Sequence, residues 1–387
     1  MSDVVIVGGG IIGAACAYEL ARAGASVTLI ERDELAAGAS GRNAGLWAAP
    51  TDPALRAMAD VSLTSYLALG ASAPVPFELD RRPIGTVLVP LDDDEASAVE
   101  SVEAYRRAGV VVEELDADRL RACEPALDDA IERGWLIHDA HRLDPAALTV
   151  SLALMAKQLG ARILHHVKAR SLIVDGDKIR GVVTDDGLMP SDMVVAAAGP
   201  WTIGLLEPVG VRIPLTAVRG WLVRLDTRPD LLHHLVAECG WRESLERTNA
   251  IDPITASELA GGQREGAIGL MVGPYPRGGV LVGTSRQTAV TPEAEDPSVP
   301  LRLARNSIRL VPELADARVL GSWWGLRPMT PDERPLVGRV RDGLIVATGH
   351  GSEGVILGTG TAKLVASIVN GGEPPFTPTP FDPMRFA

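Results

Sequence analysis

The 387-residue sequence predicts an α/β fold: a Rossmann-like parallel sheet built from three separate stretches of chain, with a second α+β domain inserted between them. Three observations carry this. The apolar run Val4–Val7 leads through Gly8, Gly10 and Gly13 into a helical pattern from Ile11 to about Ala23, closed by Gly24. A strand–glycine–helix unit returns at 194–201, where Val194–Ala197 run into Ala198-Gly199-Pro200-Trp201. It returns again at 344–354, where a buried strand runs into Gly349-His350-Gly351-Ser352-Glu353-Gly354. The spacing assigns 1–80, 144–214 and 319–387 to the first domain, and 81–143 with 215–318 to the second.

Each part of the opening stretch has a mechanical role. Gly8 permits a tight turn, Gly10 lets backbone approach a pyrophosphate, and Gly13 lets helix pack on strand. Ile11 and Ile12 open the helix, whose unpaired N–H groups and partial positive charge suit phosphates. The second strand, Ser26–Ile30, ends on Glu31, which is placed to accept hydrogen bonds from a ribose and disfavours a 2′-phosphate. The fingerprint alone leaves the choice between FAD and NAD open.

Composition narrows the partners. A formal net charge of -13 argues against nucleic acid and anionic membrane, both of which need a basic face. No apolar run reaches the roughly 18 residues of a membrane span. The N-terminal apolar run lacks a basic leader, and removing it would delete the nucleotide site, so the sequence predicts a cytoplasmic protein. Cys16, Cys123 and Cys239 match no metal or redox spacing, so no metal is expected.

Along the chain, Arg32 follows the ribose acid, and the loop Ala39-Ser40-Gly41-Arg42-Asn43-Ala44-Gly45 with Leu46 after it suggests a second cofactor contact. That contact is expected from backbone N–H groups and the Ser40 and Asn43 side chains. Asp52-Pro53 and Asp144-Pro145 each cap a helix, running to about Leu69 and Leu159. Strands are expected at 85–89, 110–115, 162–166, 171–174, 179–184, 193–197, 217–225, 268–272, 280–283 and 344–348. Residues 230–265 show no clear strand and read as a surface excursion or a lid.

Together the fingerprint with Glu31, Ala39–Gly45, Val194–Trp201, Trp324-Gly325-Leu326-Arg327-Pro328-Met329-Thr330-Pro331-Asp332 and Ala347–Gly351 resemble the D-amino-acid oxidase (DAO) family of flavoproteins. The likeness is to its glycine oxidase and sarcosine oxidase branch and covers nearly the whole chain. It implies FAD, and a substrate domain with a mainly antiparallel sheet. It also implies that Arg327 pairs with a substrate carboxylate, a role the planar guanidinium fork suits. No cysteine lies in 323–335, where some sarcosine oxidases tether the flavin, so the FAD is expected to be non-covalent. The strand tyrosine usual in glycine oxidases is replaced by Gly273, with Tyr275 nearby, which suggests a roomier pocket.

The resemblance further places cofactor contacts at Gly8, Gly10, Ile11, Ile12, Gly13, Glu31, Arg32, Ser40, Arg42, Asn43, Ala44, Gly45, Leu46, Ala198, Gly199, Trp201, Gly349, Gly351, Ser352, Glu353 and Gly354. The candidate substrate pocket comprises Trp47, Gly273, Tyr275, Trp324 and His350, with core packing the alternative for each tryptophan and a packed loop histidine for His350. The implied reaction is oxidation of a carboxylate-bearing amine, such as an N-carboxymethyl amino acid, to an imine that hydrolyses to an oxo acid and an amine. O2 is the expected acceptor, giving H2O2. The residues also admit a D-amino-acid or proline dehydrogenase using a quinone, or a flavin-binding subunit without turnover.

Overall fold

The computed structural model describes residues 3–91, 95–239, 267–288 and 298–386. Two large sheets organise the chain. The first runs in the order Leu336–Arg341, Leu344–Thr348, Met193–Ala196, Asp3–Val7, Ser26–Ile30, Arg162–Leu164. All neighbours in it are parallel except the first pair. Helices cover one face and the three-stranded sheet of Ala169–Asp175, Lys178–Thr184 and Gly187–Pro190 the other, so the Val4–Val7 strand is buried on both faces, as a continuous apolar run requires.

Close packing of the first turn depends on Gly13. A Cβ there would fall 1.9 Å from the carbonyl oxygen of Gly8, which is backbone and cannot swing aside. Helix Ile11–Arg22 buries almost its entire length between helices Pro145–Gln158 and Gly354–Asn370, with Cys16 fully buried among them. Burial pushes the Cys16 thiol far above its usual range. Asp52 and Asp144 cap their helices by accepting from Ala54 N–H at 2.8 Å and Ala147 N–H at 3.0 Å.

The second sheet runs Arg318–Met329, Thr216–Asp226, Val280–Thr288, Ala267–Pro274, Leu235–Glu238, Thr86–Val89, Arg133–Ile137, Val112–Asp116. It is antiparallel except where Leu235–Glu238 meets Thr86–Val89. Three features depart from the sequence reading. Strand Arg318–Met329 belongs to this sheet, although 319–387 reads as part of the first domain. It pairs with Thr216–Asp226 from end to end, and Pro328 is tolerated because the strand lies at the sheet edge. Leu235–Glu238 is a buried strand inside a stretch that reads as unpatterned, while 240–265 lies outside the described residues. Arg133–Ile137 also forms a strand, between Thr86–Val89 and Val112–Asp116.

Among the described residues no helix is long and apolar enough to cross a membrane, and no cluster of His, Cys, Asp and Glu could hold a metal ion.

The backbone contact at Gly13 predicts that Gly13→Ala lowers stability by about 1–3 kcal/mol. Gly204, with nothing within 4 Å of an added Cβ, is the control, and its alanine variant should stay within about 0.5 kcal/mol of the parent. Urea unfolding of both variants checks this; equal stabilities would contradict it.

Candidate active site

One cavity of about 930 Å³ reaches from the glycine turn to strand Arg318–Met329. At one end Gly8, Gly10, Ile11, Ile12, Glu31 and Arg32 line it. The Glu31 carboxylate accepts from Gly9 N–H at 2.6 Å and from Asp33 N–H at 2.9 Å, which fixes its position beside the turn. The Arg32 guanidinium stacks on the Trp201 ring at 3.9 Å, a cation–π contact at the cavity wall. Ala198 and Gly199 line the same wall, and Thr348 Oγ1 donates to Gly199 O at 2.9 Å, tying two of the strand–glycine–helix units together.

The 39–46 loop closes one side, with Ser40, Arg42, Asn43, Ala44 and Leu46 on the wall. Its side chains also hold the loop in place. Ser40 Oγ accepts from Ile11 N–H at 2.9 Å. Asn43 donates to Ala39 O and Ser40 O at 3.1 and 2.8 Å and accepts from Gly45 N–H at 2.9 Å. Arg42 donates to Ala37 O at 2.9 Å and Trp324 O at 3.3 Å, joining the loop to the second sheet.

At the other end stands Arg327. It keeps accessible surface on the cavity while being densely surrounded by protein. From the edge strand its side chain crosses Gly220 on the neighbouring strand, where a Cβ would lie 1.9 Å from Nη1. It then reaches strand Val280–Thr288, donating from Nη1 to Ser285 O at 3.0 Å and from Nη2 to Thr284 Oγ1 at 2.7 Å. The crossing is possible because the pairing of 216–226 with 280–288 shifts register between Arg219 and Val223. Burial, with the charge of Arg286 adding to it, lowers the Arg327 pKa to about 10, so the group stays cationic at neutral pH. Two hydrogen bonds leave further donors of the guanidinium for a ligand.

Not every expected pocket residue is there. Trp324 and His350 line the cavity, as do Gly351, Ser352, Glu353 and Gly354. Trp47 does not: it is buried edge-on against His141, ring centroids 5.6 Å apart. Gly273 faces Leu235, whose Cδ1 would sit 2.9 Å from an added Cβ, so Leu235 and Met271 line the wall in its place. Tyr275 lies in the turn after that strand, near Trp323 and Arg224. Gly13, Gly45 and Gly349 pack on the backbone of Gly8, the backbone of Leu143 and the side chain of Thr330 respectively, behind the wall.

Gly220, Thr284 and Arg286 line the cavity and were not singled out from the sequence. A signal exists: Thr284, Ser285, Arg286 and Gln287 are four polar residues in succession on a strand, and all four are buried. Buried polar runs of this kind are held by specific partners, here Arg327 and Trp221.

The residues fit a long anionic dinucleotide. Helices Ile11–Arg22 and Gly354–Asn370 both open their N-termini onto this cavity, and neither N-cap residue caps its helix with a side chain. The family model described as DAO, FAD dependent oxidoreductase, matches residues 3–368. The chain belongs to this family. It is 31% identical over 388 residues to a glycine oxidase from Pseudomonas aeruginosa, covering 98% of each chain. A D-amino acid dehydrogenase from Rhizobium johnstonii is 28% identical, covering 96% of each. The crystal structure of glycine oxidase from Geobacillus kaustophilus superposes with a TM-score of 0.84 at 25% identity, over 100% of this chain and 99% of that one. The protein is thus an FAD-dependent oxidoreductase.

His350 is buried and its Nε2 lies 2.9 Å from Thr361 Oγ1. Burial holds its pKa down at about 3, so it is neutral in the working protein. Unfolding restores a value near 6.5. The unfolded chain therefore binds a proton that the folded one refuses between these values, and stability falls as pH drops from about 6.5 toward 3. His350→Asn is expected to flatten that acid limb, read as the change in urea midpoint between pH 7 and pH 5. An identical drop in parent and variant would contradict the assignment.

Proposed function

We propose that the enzyme oxidises an N-substituted glycine, such as an N-carboxymethyl amino acid, to an imine that hydrolyses to an oxo acid and an amine, with O2 reduced to H2O2. One observation carries the reading: the Arg327 guanidinium faces the same cavity onto which both open helix N-termini converge. Bound FAD would supply the electron-accepting chemistry. Gly8, Gly10, Glu31 and the 39–46 loop would hold its dinucleotide part, and the 349–354 loop its other end.

The remaining work belongs to the chain. Arg327 binds the substrate carboxylate through paired charged hydrogen bonds and so fixes which carbon faces the cofactor. Leu222, Leu235 and Met271 give an apolar wall that excludes water and accommodates a substituent on nitrogen. The substrate must enter with a neutral amine, and the neutral His350 adds no competing positive charge. The kinship with a D-amino acid dehydrogenase favours a second reading in which a quinone takes the electrons.

The test is anaerobic bleaching of the bound flavin by glycine, sarcosine, D-alanine, D-proline and N-carboxymethyl-β-alanine, followed by peroxide assay in air. The expected result is fastest bleaching by a secondary amine, with peroxide formed in air. Arg327→Met should lower kcat/KM roughly a hundredfold or more with FAD still bound. Best turnover on glycine would contradict the substrate class, and bleaching without peroxide would favour the quinone.

A further inference from the structure

Arg327 has a second cation beside it. Arg286 lies two residues after Thr284 on strand Val280–Thr288, so their side chains share the face that looks into the cavity. Thr284 is also the residue whose Oγ1 accepts from Arg327 Nη2 at 2.7 Å. Both arginines therefore line one stretch of wall, with Thr284 the partner of one and two residues from the other.

Arg286 is only 6% exposed, and its partners do not account for it. Its Nη1 donates to Glu333 Oε1 at 3.0 Å, while its Nε is buried with no hydrogen-bond partner. Glu333 is itself 39% exposed and meets Arg286 from a turn outside the sheet. Among the described residues no acid forms an ion pair with Arg327. A buried donor left unsatisfied and two cations on one wall, of which only Arg286 has an acid partner, are each costly. An arrangement of this kind is stabilised by an anion that brings more than one negative charge.

We infer that Arg286 receives a second acidic group of the substrate, so that the preferred substrates are dicarboxylic amines with one carboxylate on Arg327 and the other on Arg286. This rests on the reading that Arg327 binds a carboxylate. It adds a residue that determines specificity and narrows the substrate class. A substrate with one carboxylate leaves the Arg286 charge to Glu333 alone; a dicarboxylic one brings a second acid to the cavity wall that Arg286 lines.

The experiment compares two amines of the same shape, N-(2-carboxyethyl)glycine and N-isopentylglycine, in anaerobic reduction of the holoenzyme followed by stopped flow. The expected preference for the dicarboxylic amine is roughly tenfold to a hundredfold in kcat/KM, the range of a charged hydrogen bond. In Arg286→Met the ratio should collapse toward one, and Arg286→Lys, which keeps the charge but not the fork, should retain part of it. Equal rates for the two amines in the parent enzyme would overturn the inference. So would Arg286→Met and Arg286→Lys lowering both amines by one common factor, the mark of a brace for Glu333. Either result leaves amine oxidation standing. Failure of both amines to bleach the flavin would overturn the reading of Arg327 and the inference with it.

Discussion

The Arg327 end of the cavity depends on a side chain crossing a strand that offers it no obstacle. Arg327 starts on the edge strand of the eight-stranded sheet, passes over Gly220 and bonds to the third strand at Ser285 and Thr284. Sealing a guanidinium into protein carries a desolvation cost, visible here as a pKa drawn down to about 10. The register shift beside Gly220 leaves the Ser285 carbonyl open to the guanidinium, which offsets part of that cost. Two oxygens on one strand hold the fork in a fixed orientation. An anchor held this way orients a carboxylate; a flexible lysine would only attract one.

The first sheet supplies the other half of the site by different means. Its glycine turns bring helix N-termini, which carry partial positive charge without any ionisable group, to the cavity. The two halves are stitched at named contacts: Arg42 to Trp324 O, Trp323 Nε1 to Arg42 O, and Gly351 N–H to Pro328 O at 2.8 Å. The last of these joins the loop before helix Gly354–Asn370 to the residue directly after Arg327. These contacts fix the glycine-turn end of the cavity relative to Arg327.

What could be read from the sequence follows the range of the interactions. The fingerprint, the caps at Asp52 and Asp144, and the strands of the first sheet are local patterns, and the residues spell them directly. The position of Arg327 on the cavity wall was legible through its motif. The neighbours it uses were not, because Gly220 and Thr284 lie 107 and 43 positions away and meet it through sheet register alone. For Trp47 the sequence offers a pocket wall or core packing, and the buried contact with His141 decides for packing. Strand Leu235–Glu238 escaped because four residues with no alternation carry little signal.

The most direct test of the central claim is the affinity of a simple aromatic carboxylate, read from its perturbation of the bound flavin spectrum, in the parent enzyme and in Gly220→Ala. A Cβ at 220 would occupy the place of Arg327 Nη1, so the account predicts at least tenfold weaker binding with FAD content unchanged. Equal affinity in the two proteins would contradict it.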